Sequence, residues 1–128
     1  MTQEDKKRLF KDLCARLPYG LKVKIKHYDD AWELLAIYTN GTTYATRDIG
    51  YPIETYFEDC KPYLFPLSSI TEEQKKEMSS FDPFSSDEVK TFGDWAVRLV
   101  DFYNKYHFDF RGLIPKGLAI DATELNIY

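Results

Sequence analysis

The chain has 128 residues, 44% hydrophobic and 30% charged, and a formal net charge of −4, enough for one core and too little for two domains, so a single domain over 1–128 is expected. Six Gly and six Pro argue against a low-complexity chain, and 10 Tyr, 9 Phe and 2 Trp argue against disorder. No apolar run approaches the roughly 20 residues of a membrane span, and Met1-Thr2-Gln3-Glu4-Asp5-Lys6 lacks the basic start and apolar middle of a secretory signal.

The first predicted element is a helix over 3–17, with Thr2 as cap and Asp5 imitating the acid of a capping box. Leu9, Phe10, Leu13, Cys14 and Leu17 form its apolar stripe, with Lys6, Lys7, Arg8 and Lys11 largely elsewhere. Pro18-Tyr19-Gly20 stops it. Leu21, Val23, Ile25 and His27 then alternate with Lys22, Lys24 and Lys26, the two-residue period of a half-buried strand with His27 inward. Trp32–Thr39 is apolar on both faces and reads as a central, doubly covered strand. Asn40-Gly41 predicts a type I′ hairpin into a partner strand at 42–47.

Pro and Gly interrupt 48–70, where the expectation is a short helical or irregular piece at 53–59 and an edge strand at 61–67. Thr71 with Gln74, or Ser69 with Glu72, offers a capping box for a short polar surface helix. Phe81-Asp82-Pro83-Phe84 reads as a loop, and Ser85 with Glu88 caps the longest helix, expected at 87–106. Its stripe of Phe92, Trp95, Ala96, Leu99, Phe102, Tyr103 and Tyr106, broadened by Val89, Val97 and Val100, marks it as the main slab on the sheet. Residues 107–128 show no helical period; Leu118-Ala119-Ile120 reads as a short strand, and so apolar a tail is expected to dock on its own domain or on another chain. The fold class is therefore α+β: a three- to four-stranded antiparallel β-meander packed against a long C-terminal helix, with an N-terminal helix and an extended tail.

Two cysteines supply neither a disulfide framework nor a four-cysteine metal site, which points to a reduced, cytoplasmic setting. Cys14 lies on an apolar stripe, and Cys60 has Lys61 beside it but no local base, so no nucleophile is assembled. His107 and Asp109, two apart, would share one face of an extended segment and form two ligands of a metal-dependent hydrolase; further ligands are not identifiable, and the plainer reading is a polar fixing of the tail. Asp29-Asp30, Glu58-Asp59, Glu72-Glu73 and Asp87-Glu88 read as turn, helix-start or solvated acids.

Charge is uneven: residues 1–30 carry eight cations against five acids, and 31–128 nine against sixteen. The overall acidity argues against general nucleic-acid binding and leaves room for a local patch. Lys22, Lys24 and Lys26, joined by Lys6, Lys7 and Lys11, make the nucleic-acid alternative; as a structural device the same row keeps a strand soluble and unpaired.

Two phrases carry a resemblance. Lys61-Pro62-Tyr63-Leu64-Phe65-Pro66-Leu67-Ser68-Ser69-Ile70-Thr71-Glu72-Glu73 and His107-Phe108-Asp109-Phe110-Arg111-Gly112-Leu113-Ile114-Pro115-Lys116-Gly117-Leu118-Ala119 are similar to phrases in small uncharacterised proteins of gut anaerobic bacteria and their phages and prophages. Phe65 stands for a basic residue of the first phrase, Ile70 for its Met, and Phe110 for the Tyr of the second. The resemblance implies a mobile-element origin and transfers no activity.

The function these features favour is a non-enzymatic accessory protein, without cofactor or metal, that binds another protein or itself. Its expected contact residues are Phe81, Phe84, Phe108, Phe110 and Tyr128, because aromatic side chains dominate interface cores.

Overall fold

A computed structural model describes residues 1–47, 50–81 and 91–128. Helix α1 (Gln3–Arg16) begins at Thr2, whose hydroxyl accepts the Asp5 N–H at 3.0 Å, and Glu4 and Asp5 lie at the positive end of its dipole. Its stripe buries Leu9 and Leu13 as the spacing predicts. A 3₁₀ turn at Leu17–Tyr19 and Gly20, at φ +67°, then turn the chain into the sheet.

Strands β1 (Lys22–Ile25), β2 (Ala31–Ile37), β3 (Thr42–Thr46) and β4 (Ile53–Tyr56) form an antiparallel meander. Strand β5 (Cys60–Leu64) returns to the free side of β1, and β6 (Ile120–Asp121) adds to it in parallel. The result is a six-stranded mixed sheet in the order β4-β3-β2-β1-β5-β6. It exceeds the expected three to four strands, and its β5–β6 pair is parallel where an antiparallel meander was expected. The segment 53–59, expected as helical or irregular, is β4 followed by a 3₁₀ turn at Phe57–Asp59. Nor is β5 an edge strand, since β6 covers Tyr63 and Leu64. Its Pro62 faces Val23 of β1. The Lys26 N–H bonds the Asp59 carbonyl at 2.9 Å, which sets the hydrogen-bonded pairs at alternate residues and leaves Pro62 in a non-bonded pair. A proline is tolerated there because no ladder bond to β1 is lost.

Two local readings change for physical reasons. The two-sided greasiness of β2 reflects a register shift between Leu34 and Ala36, not cover on both faces. Trp32 and Leu34 point into the core, the extra residue leaves Leu35 46% exposed, and Ile37 then packs inward. In the hairpin, Gly41 (φ +94°) has positive φ but Asn40 does not. The Gly41 N–H bonds the Tyr38 carbonyl and the Tyr38 N–H the Thr42 carbonyl, which makes a three-residue loop with a glycine bulge in place of type I′. His27, expected inward, is exposed in a turn at φ +75°.

Helix α2 (Glu72–Ser79) carries the expected Thr71–Gln74 capping box, both bonds present, and buries nothing. Helix α3 (Phe92–Lys105) is capped by Thr91; residues 87–90 of the predicted helix, and the Ser85–Glu88 box, lie outside the described residues. The main correction concerns which helix covers the sheet. Leu9 and Leu13 of α1, with Leu113, Leu118 and Ala119 of the tail, pack on Leu21, Val23, Ile25, Trp32, Leu34 and Leu64. Helix α3 buries only Phe102 and Asn104, and its Phe102 sits among Phe81, Tyr106 and Phe108. The slab is therefore α1 plus tail. The tail docks on its own domain: His107 and Asp109 pair by backbone with Phe65, and the Ala122 N–H reaches the Leu64 carbonyl.

A Cβ at Gly41 would stand 2.5 Å from the Tyr56 ring, whereas one at Gly117 (φ +74°) would meet nothing within 4 Å. Gly117→Ala is expected to cost about 1 kcal/mol for its backbone alone, and Gly41→Ala clearly more, in urea unfolding. Equal costs would contradict the close packing of Tyr56 on the hairpin.

Candidate functional site

The residues around the tail are organised by a charge network inside the protein. Asp12 and Arg16 share the face of Leu9 and Leu13 and are both fully buried. Arg16 Nε donates to both Asp12 oxygens at 3.0 Å, and its two terminal nitrogens donate to the carbonyls of Tyr103 and Phe108. Arg111 adds a second cation to Asp12 at 2.7 Å. The carbonyl of Tyr103 lies in the last turn of α3, so Arg16 also sets a positive charge at the negative end of that helix. This holds the segment 103–111 rigidly against α1.

Asp109 does not act as a metal ligand beside His107. Its two carboxylate oxygens accept the N–H groups of Leu113 and Ile114 at 2.8 and 2.9 Å, fixing the turn that brings Leu113 into the core. Among the described residues no group of three or more His, Cys, Asp or Glu is placed to hold a metal ion. The chemistry of a hydrolase built on His107 and Asp109 therefore finds no assembled site there.

His107 instead forms part of the wall of a cleft of about 490 Å³ with Phe65, Gln74, Lys105, Tyr106, Phe108 and Tyr128. The ring is buried, stacked on Tyr128 at 4.2 Å, and its Nδ1 has no hydrogen-bond partner. Burial, assisted by the nearby Arg16 charge, lowers its pKa to about 4, against a small opposing pull from the Tyr19 backbone. At neutral pH this is an uncharged aromatic wall.

The predicted contact residues are mostly spent inside the molecule. Phe108 is buried and packs on Phe102. Phe110 is stacked between Tyr103 at 5.3 Å and the Arg111 guanidinium at 4.1 Å. Phe81 meets Phe102 at 5.9 Å, and Phe84 lies outside the described residues. Tyr128 is half exposed, but its hydroxyl donates to the Tyr63 carbonyl and accepts the Lys22 N–H, and burial raises its pKa. Aromatic content alone did not distinguish residues that pin the tail from residues that face out.

Lys22 and Lys24 stand on the sheet face away from α1, because Val23 and Ile25 between and beyond them point toward it. They therefore do not join Lys7 and Lys11 of α1 in one strip. Lys24 lies across from Lys61, its ammonium bonds the Tyr28 carbonyl, and Lys26 is in the turn that follows. Both cysteines are inert thiols: burial raises Cys14, and burial followed by the Asp59 charge pushes Cys60 up to about 12.

A run of exposed apolar residues lies in the first half of α3. Phe92, Trp95, Val97 and Val100 are 60%, 37%, 62% and 39% exposed, and Ala96 is exposed with them. Phe92 and Trp95 continue, toward the helix start, the stripe that Leu99, Phe102 and Tyr106 use to dock. The stripe was visible in the sequence; that its buried residue, Phe102, lies in the second half was not. No helix among the described residues is long and apolar enough to cross a membrane. Comparison with protein-family models, curated proteins and solved structures finds no match to this chain.

The buried neutral His107 has a consequence for pH. At pH above 6.5 both folded and unfolded chains hold this ring uncharged; between 6.5 and about 4 the unfolded chain takes up a proton that the native ring refuses. Stability is thus full above that window and falls as pH drops through it, by on the order of 3 kcal/mol for this group. His107 has φ +61°, which Asn tolerates best, so His107→Asn is expected to flatten the loss between pH 6.5 and 4.5 in denaturant titrations. Parallel losses in both proteins would place the ring in solvent.

Proposed function

We propose that this protein is a non-enzymatic accessory protein that works by binding another protein, with α3 as the contacting element, and, following the resemblance of its two phrases, that it derives from a phage or prophage. The observation that carries this is the composition of α3 before it reaches the domain. From Phe92 to Val100 only Gly93, Asp94 and Arg98 are not apolar, yet Leu99 alone of this run is not classed as exposed. A helix apolar on most of its circumference is ordinarily covered. Here the second half is covered by the protein's own Phe81 and Phe108, and the first half offers anchors of the kind that fill a partner's groove. The aromatic residues expected to do this from the sequence are replaced in this reading by Phe92 and Trp95.

Trp32 is buried and Trp95 is not, so fluorescence quenching by iodide reports on the helix face. Trp95→Ser and Val97→Ser are expected to leave unfolding within about 0.5 kcal/mol of the parent. Trp95→Ser should abolish self-association in sedimentation, or capture of a discrete partner from host lysate, and Val97→Ser, on the other side of the helix, should weaken it less, since central aromatic anchors carry about 2 kcal/mol or more. Retention of that association by both variants, or a large loss of stability in either, would count against α3 as the contact.

A further inference from the structure

We infer that the groove between α1 and the tail is a second binding site, for a ligand carrying consecutive phosphates. Glu4, Lys7, Arg8 and Lys11 follow one another at i, i+3, i+4 and i+7, a single stripe on the side of α1 away from Leu9 and Leu13. They face Phe110 and Arg111 of the tail and Val100 of α3 across an open groove of about 630 Å³. The flanking charges are paired: Lys6 of α1 with Glu58 at 3.4 Å, and Asp5 of α1 with Lys116 of the tail at 3.7 Å. Lys7, Arg8 and Lys11 have no acidic partner among the described residues.

Arg111 gives the groove a fixed component. Its guanidinium lies on the Phe110 ring at 4.1 Å and spends one nitrogen on Asp12 at 2.7 Å, with the side chain only 13% exposed. Its other N–H groups bond nothing among the described residues, and a guanidinium held this way is pre-organised for oxyanions. Behind it Arg16 cancels most of what Asp12 contributes. Lys7, Arg8, Lys11, Arg16 and Arg111 stand against Glu4, Asp12 and Asp109, a local balance of +2 on a chain whose total is −4. A concave, locally positive wall on an acidic molecule favours a compact polyanion that ends within the groove. A long one would run on over acidic surface. This places anion binding on α1 and away from the Lys22, Lys24 and Lys26 row, with Val100 the α3 residue that borders it.

The test is calorimetric titration with inorganic tripolyphosphate at low salt, beside fluorescence anisotropy with an oligo-dT, using the full chain. Tripolyphosphate is expected to bind, with Lys7→Gln/Lys11→Gln weakening it about tenfold and flattening its salt dependence. Lys22→Gln/Lys24→Gln removes the same charge from the opposite face and should leave the affinity nearly unchanged. The oligonucleotide is expected to bind far more weakly than tripolyphosphate; an oligonucleotide that binds as tightly and is displaced by tripolyphosphate would show a tracked strand and overturn the compact ligand. No binding of either probe, equal weakening by the two double variants, or equal competition by sulfate at matched charge would each overturn the assignment.

Discussion

The structure depends on one buried ion pair. Asp12 and Arg16 lie four residues apart on the buried face of α1, in line with Leu9 and Leu13, and neither is exposed to solvent. Removing two charges from water is costly, and their mutual attraction offsets this only when the remaining hydrogen-bonding groups are also satisfied. Here Arg16 Nε is shared between the two carboxylate oxygens, and the terminal nitrogens take the carbonyls of Tyr103 and Phe108. Burial lowers the guanidinium pKa and Asp12 works against that fall. The pair stabilises the fold less through its own attraction than by specifying one arrangement. Only with the end of α3 and the start of the tail in these positions does each of its three nitrogens have an acceptor.

Everything peripheral follows from that docking. With 103–109 fixed, Asp109 can cap the turn at Leu113 and Ile114, and Leu113, Leu118 and Ala119 fall onto the same core as Leu9 and Leu13. The tail then gives β5 its second neighbour at Tyr63 and Leu64, just beyond Pro62. The same constraint holds α3 at its C-terminal end, while Phe92 and Trp95 near its start are exposed. Arg111, recruited by the spare capacity of Asp12, closes one side of the basic groove. Both proposed binding surfaces are thus consequences of how one carboxylate is shared.

Local elements were legible in the sequence wherever one short-range rule governed them. The Thr2 cap, the Thr71–Gln74 box, the alternation through β1 and the stripe of α1 are all decided within a turn or a strand. What escaped was decided by distant partners. The extra residue at Leu34–Ala36 turned one strand's alternation into a two-sided pattern, and β5 read as an edge because its cover comes from Ile120. The longest apolar stripe was assigned to the sheet on its length. The helix that covers the sheet was instead the one interrupting its stripe with Asp12 and Arg16. An acid and a base four apart on an apolar face was the available signal, since such residues are buried only as a matched set. For the binding surfaces, the sequence showed aromatic abundance and α1 lysines, but not that Phe108 is buried and Phe110 stacked on Tyr103 while Phe92 and Trp95 stay 60% and 37% exposed.

The most direct test of this account is native-state hydrogen exchange on the parent and on Arg16→Met, which keeps the length of the side chain and removes its donors. The account predicts that amides of α1, of the last turn of α3, and of the tail at Leu113, Leu118 and Ala122 lose protection together, while the β2–β3 hairpin keeps more of its own. Loss confined to the last turn of α1, with the tail protected as before, would show that tail docking does not rest on Arg16 and would contradict the central claim.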